Sequence, residues 1–72
     1  MKEIFELRLR DDYIKLGQAL KAANVAEDGV DAKYMIQDGL VKVNGKTEVR
    51  RGRKLYAGDV VSLKEDEIHI IR

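Results

Sequence analysis

Cysteine is missing from all 72 residues, so neither a disulfide framework nor a thiolate metal site can form. A reducing compartment fits that composition. Histidine occurs once, as His69, which excludes a multi-histidine metal site. No segment approaches the roughly 18 consecutive apolar residues of a membrane span. Met1 to Arg10 alternates charged and apolar residues and lacks the basic-then-apolar form of a signal peptide. A nucleophile with its base, a phosphate loop and a metal cluster are also absent from the pattern. These absences predict a cytoplasmic, noncatalytic protein with no catalytic residues, no metal, no cofactor and no membrane partner. The length predicts one domain, 1–72, with a small core, above the roughly 40-residue level below which chains usually need disulfides or metals.

The charges that are present are unevenly placed. Residues 1–32 hold five basic and seven acidic side chains, and residues 55–72 hold two and four, so each flank balances to −2. Between Lys33 and Lys54, seven cations (Lys33, Lys42, Lys46, Arg50, Arg51, Arg53 and Lys54) face only Asp38 and Glu48, a balance of +5. The overall charge of +1 conceals this cationic block.

Hydrophobic periodicity places the block on the fold. Ile4 to Arg10 alternates, with Phe5, Leu7 and Leu9 on one side, which predicts a half-buried strand. Asp11 and Asp12 offer a helix N-cap, after which Tyr13, Leu16, Leu20 and Ala23 form a helical stripe with Lys15, Gln18 and Lys21 turned away from it. Asn24 is expected to end that helix. Asp28 is a second cap, Ala32, Met35 and Ile36 are the buried face of a short helix, and Gly39 terminates it in the left-handed conformation. Val41 and Val43 then point one way and Lys42 the other, Asn44 and Gly45 signal a two-residue hairpin, and Lys46 to Arg51 is the returning strand. A turn at Gly58 and Asp59, a strand from Val60 to Leu63, an acidic turn at Glu65 to Glu67 and a strand from Ile68 to Ile71 complete the chain. The predicted class is α+β, with two short helices packed on a small, mainly antiparallel sheet.

On this layout Lys33 and Gln37, four apart, line one exposed edge of the second helix. That edge leads into the hairpin, where Lys42 and Lys46 flank the turn, and the returning strand carries Arg50, Arg51, Arg53 and Lys54. Such a surface suits phosphates, since Arg supplies forked donors and Lys a point charge.

The spacing also resembles a known family. Lys15 to Leu20 is similar to the opening Arg-Leu-Asp-x-x-Leu of the S4 domain, and Asp28 to Gly39 to its Ser-Arg-x-x-Ala-Arg-x-x-Ile-x-x-Gly. Val41 to Gly45 resembles the family's Val-x-Val-Asn-Gly hairpin, and Gly58 to Val60 its Gly-Asp-x-Val turn. The likeness spans residues 13–63, and Arg50 to Leu55 resembles a hallmark of the small stand-alone members of the YaaA and YbcJ type. It implies an αL-motif module that binds structured RNA, often ribosomal, as a monomer on a ribosomal subunit or assembly intermediate. Together, the cationic layout and this resemblance make Lys15, Lys33, Gln37, Lys42, Asn44, Lys46, Arg50, Arg51, Arg53, Lys54 and Tyr56 the expected RNA-binding residues. Gly17 stands where the family has Asp, Gly29 where it has Arg, and Lys15 replaces another Arg, so the binding surface is expected to shift toward Arg50 to Lys54.

Plainer roles compete at several positions. The basic run could serve only to keep an edge strand from aggregating, Asn44 and Gly45 to make the turn, Tyr34 to cover the core edge, and Gly17 to bring the two helices close. His69 is expected to face outward. Two whole-protein rivals share parts of the pattern. A β-grasp sulfur carrier also combines a Val-Asn-Gly hairpin with a Gly-Asp turn, but needs a terminal Gly-Gly where this chain ends Ile70, Ile71, Arg72. A protein-binding adaptor would use the basic strand against an acidic partner.

Overall fold

The alternation at the start of the chain does form a strand, β1 (Lys2–Glu6), in the computed structural model, which describes residues 2–72. Leu7 follows it into the core, whereas Leu9, expected on the same face, is 99% exposed. The strand ends at Glu6 and a turn in which the Asp11 N–H donates to the Arg8 carbonyl breaks the alternation. A two-residue strand, β2 (Ile14–Lys15), comes next, then the helices α1 (Leu16–Ala22) and α2 (Gly29–Gln37). The remaining strands are β3 (Val41–Val43), β4 (Lys46–Thr47), β5 (Lys54–Leu55), β6 (Val60–Leu63) and β7 (Asp66–Ile71). One sheet has the order β1-β7-β6-β3-β4, antiparallel except for the parallel β1–β7 pair, and β2 pairs with β5 as a separate antiparallel ribbon. The class is the expected α+β.

Helix α1 begins three residues later than its apolar stripe suggests, and neither Asp11 nor Asp12 caps it. Its first amides are satisfied from a distance instead: the Leu16 N–H donates to the Arg53 carbonyl at 2.8 Å and the Gly17 N–H to the Arg51 carbonyl at 3.1 Å. A distant loop thus accepts from the orphan donors of the first turn, which removes the need for a side-chain cap. Asn24, with φ +59°, closes the helix as its sequence implies. For α2 the local signals hold. Asp28 accepts from the Asp31 N–H at 2.8 Å, Asp31 in return accepts from the Glu27 N–H at 3.0 Å, and Gly39 leaves the helix at φ +76°.

Both helices cover one face of the larger sheet. Leu16, Ala19 and Leu20 of α1 and Ala32 and Ile36 of α2 are fully buried, against Val41, Val43, Val61, Leu63, Ile68 and Ile70. Each such large apolar side chain contributes roughly 1.5–3 kcal/mol by leaving water. The opposite face is open. The register lays Lys2, Glu67, Ser62, Lys42 and Thr47 across it in one row, and His69 lies on the same side, with its Nε2 3.0 Å from Glu67 Oε1.

The hairpin between β3 and β4 turns at Asn44 (φ +53°) and Gly45 (φ +85°), the two successive positive values of a type I′ turn. Its returning strand is short. The strand ends at Thr47, with one further bond to β3 from the Glu48 N–H to the Val41 carbonyl at 3.0 Å, and the rest of the expected strand from Lys46 to Arg51 is replaced by a loop whose turn is closed by the Arg53 N–H donating to the Arg50 carbonyl at 3.2 Å.

Candidate nucleic-acid interface

The cause of that loop is Glu48, the one acidic residue among the cations that follow the hairpin. Its carboxylate is buried, with 7% of the residue exposed. Oε2 accepts from the Val49 and Arg50 backbone N–H groups, each at 3.1 Å, and from Arg50 Nε at 3.0 Å. Oε1 accepts from Arg50 Nη2 at 3.0 Å and Arg53 Nη1 at 2.7 Å. The side-chain bond from Arg50 is the largest influence on the carboxyl, which together with Arg53 outweighs burial and holds its pKa at about 2. A chain folded round a carboxylate cannot also run extended, which is why the strand ends.

The loop sorts its cations into two sets. Arg50 and Arg53 are committed to Glu48, although Arg50 still shows 71% of its side chain to solvent. Arg51 points the other way, across α1. A Cβ added at Gly17 would lie 2.8 Å from Arg51 Cγ, so Gly17 makes room for Arg51, the residue nearest to that position. Lys54, past the loop, pairs in register with Lys15, two exposed lysines directly opposite each other in the β2–β5 ribbon. Like charges in that position destabilise a ribbon.

Aromatic rings adjoin this pair. Lys54 Nζ sits 4.9 Å from the centroid of Tyr13, and Tyr13 and Tyr56 rings lie 6.0 Å apart, tilted by 53°. Tyr56 is half exposed, beside Arg50, Arg53 and Lys54. A groove lined by Lys15, Gln18, Lys21 and Arg51, with Gly29 and Gly52 in its walls, runs between the loop and the helices.

Lys15, Arg51 and Lys54 are therefore brought together, with Arg50, Arg53 and Tyr56 at their border. Others are placed elsewhere. Lys42 lies on the open sheet face, in a depression shared with Lys2, Lys64 and Glu67 and turned away from the helices, because the inward places in β3 belong to Val41 and Val43. Lys46, opposite Val43, is exposed on the free edge strand, and Lys33 and Gln37 are exposed along α2. Asn44 has its side chain engaged: Nδ2 donates to Asp59 Oδ1 at 3.0 Å and Oδ1 accepts from the Val60 N–H at 2.9 Å. Tyr34 is 58% exposed and does not cover the core edge. Gln18 and Lys21, turned away from the helical stripe in the sequence, line this surface, and so does Tyr13, which was expected in that stripe but precedes α1 and is exposed. The polar stripe of α1 was the available signal for the first two.

The matched spacing and this geometry meet in the comparison with known proteins. The S4 domain model matches residues 7–71. The chain belongs to the S4 domain family. Two small relatives agree with that membership. The S4 domain here is 47% identical over 53 residues to RlbA of Bacillus subtilis, provisionally named a ribosome maturation protein, covering 74% of this chain and 75% of the relative. It is 34% identical over 59 residues to YbcJ of Escherichia coli, provisionally named an RNA-binding protein, covering 82% and 84%. Membership sets aside the sulfur-carrier reading. It also gives the family's hairpin and Gly-Asp turn a physical reason in this S4 domain, since Asn44 of one is bonded to Asp59 and Val60 of the other.

Proposed function

We propose that this S4 domain is a noncatalytic, monomeric RNA-binding protein that recognises folded ribosomal RNA during assembly of a ribosomal subunit. The observation that carries the reading is the opposition of Lys15 and Lys54 with Arg51 alongside, three cations for which no ion pair exists among the described residues. Tyr13 offsets part of the charge of Lys54, but like charges that no carboxylate neutralises cost stability, and a phosphate between the lysines would reverse the sign of that cost. The family and the names of its two relatives point to the same class of ligand.

The test uses this opposition. Lys15→Glu removes the repulsion and installs an attraction to Lys54, so the melting temperature should hold or rise while affinity for a ribosomal RNA fragment falls at least tenfold. A variant that kept wild-type affinity would sink the assignment. Crosslinking in cells and sequencing of the bound RNA then identifies the target, and recovery of an acidic protein in place of RNA would favour the adaptor.

A further inference from the structure

A second groove lies on the other side of α1. It has a volume of about 830 Å³ and is lined by Arg8, Arg10, Tyr13, Lys15, Gln18 and Lys21, among others. Lys15, Gln18 and Lys21 also line the Arg51 groove, so the exposed edge of α1 is a ridge between two channels. Arg8 and Arg10 are exposed and belong to no ion pair among the described residues. Asp12 at the rim is partly neutralised by Arg72, 3.6 Å away, whose Nη2 also donates to the Asp11 carbonyl at 2.9 Å. Asp11 also lines this groove, so with Asp12 two carboxylates stand against Arg8, Arg10, Lys15 and Lys21, and the channel is cationic on balance, like its neighbour. Arg8 and Arg10 lie outside the central cationic block of the sequence, in a segment whose charge is net acidic.

We infer that α1 seats between two backbone strands of one folded RNA, with Arg51 and Lys54 holding one strand and Arg8 and Arg10 the other. This rests on the RNA-binding reading and extends its surface to the N-terminal segment. The physical reason is the repeat of one chemistry on both sides of a narrow ridge. A single extended strand needs one channel, whereas the shallow minor groove of an RNA helix offers two phosphate rows flanking exposed 2′-hydroxyls and base edges. Gln18, on the crest, carries both a donor and an acceptor for such hydroxyls. Lys15 and Lys21, shared by both channels, reach either row.

The experiment compares an RNA hairpin with a single strand of equal length and composition, each titrated with salt against wild type, Arg8→Glu/Arg10→Glu and a charge-matched control, Lys2→Glu/Lys64→Glu, on the open sheet face. The first variant should bind the hairpin at least tenfold more weakly and reduce the log-log salt slope by about 1.4–1.8, the value for two lost phosphate contacts. It should leave the single strand within about threefold, and the control should change neither. Arg8→Gln/Arg10→Gln, with its fold checked by circular dichroism, should show a smaller loss in the same direction. An unchanged hairpin affinity in the first variant, an equal loss in the control, or equal losses for hairpin and single strand each overturns the two-strand seat alone. A wild-type protein that binds neither RNA overturns the RNA-binding reading as well.

Discussion

Glu48 is the residue whose effect runs against its charge. Removing a carboxylate from a cationic surface should, by electrostatics alone, improve RNA binding. Here the carboxylate gathers Val49, Arg50 and Arg53 into the loop that aims Arg51 across α1 and whose carbonyls accept from the first amides of that helix. Glu48→Gln is therefore expected to weaken RNA binding several-fold and to destabilise the fold by about 1.5–3 kcal/mol, the range for charge-assisted hydrogen bonds. For a domain of this size that is a fall of roughly 6–24 °C in Tm. The pH dependence has a definite sign. Since folding lowers the Glu48 pKa from 4.5 to about 2, its contribution is complete above pH 4.5 and is lost as the pH falls toward 2. Melting curves across that window should lose the corresponding slope in Glu48→Gln.

Gly17 gives a second expectation at this scale. Ala is favoured over Gly in a helix by about 1 kcal/mol, but its methyl would meet Arg51 Cγ at 2.8 Å. Gly17→Ala should leave stability within about 1 kcal/mol of wild type while displacing Arg51 and lowering RNA affinity. Equilibrium denaturation and a binding titration on the same sample separate the two effects.

At the scale of elements, the loop from Glu48 to Arg53 replaces a strand, and this changes which cations act together. An extended strand would put Arg51 and Arg53 on one face and Arg50 and Lys54 on the other. The loop pairs Arg50 with Arg53 on Glu48 and leaves Arg51 and Lys54 for the ligand. Arg51→Glu/Lys54→Glu should therefore abolish RNA binding with the melting temperature nearly unchanged. Arg50→Glu/Arg53→Glu should lower the melting temperature first, because three carboxylates would then crowd one buried site. The hairpin has a comparable internal duty. Asn44→Ala removes the bonds to Asp59 and Val60 and places a side chain that disfavours positive φ in the turn. A loss of about 1–3 kcal/mol is expected in denaturant unfolding.

For the whole molecule, the +5 block of the sequence overstates the cations available to RNA, since two of them satisfy Glu48 and Lys42 lies on the far face of the sheet. A count of about five phosphate contacts from the block alone would give a log-log salt slope near −3.5 to −4.5. If Lys15, Lys21, Arg51 and Lys54 form the primary contact, their four phosphates contribute about −2.8 to −3.6, to which the Arg8 and Arg10 channel adds about −1.4 to −1.8. A measured slope near zero would contradict any electrostatic grip. Incubation with RNA and nucleotides should leave both chemically unchanged, and reproducible turnover abolished by a point substitution would overturn the noncatalytic assignment.

What the sequence determined by itself was local or periodic. The cap at Asp28, the left-handed exits at Asn24 and Gly39, the type I′ turn at Asn44 and Gly45, and the alternation of β3, β6 and β7 depend on side chains a few residues apart, so spacing exposes them. The S4 pattern is legible for the same reason, as a series of short spacings between such signals. The tertiary structure decided where distant residues meet. Nothing local says that carbonyls of Arg51 and Arg53 replace a cap on α1, that Gly17 yields its volume to Arg51, or that Lys15 faces Lys54. Glu48 alone carried a visible hint, an acid two residues before an arginine in a basic run, but its meaning required burial. Charge counted along a chain is blind to direction, and only the packed sheet, with Val41 and Val43 turned inward, sent Lys42 to the opposite face and left α1 as the cationic ridge.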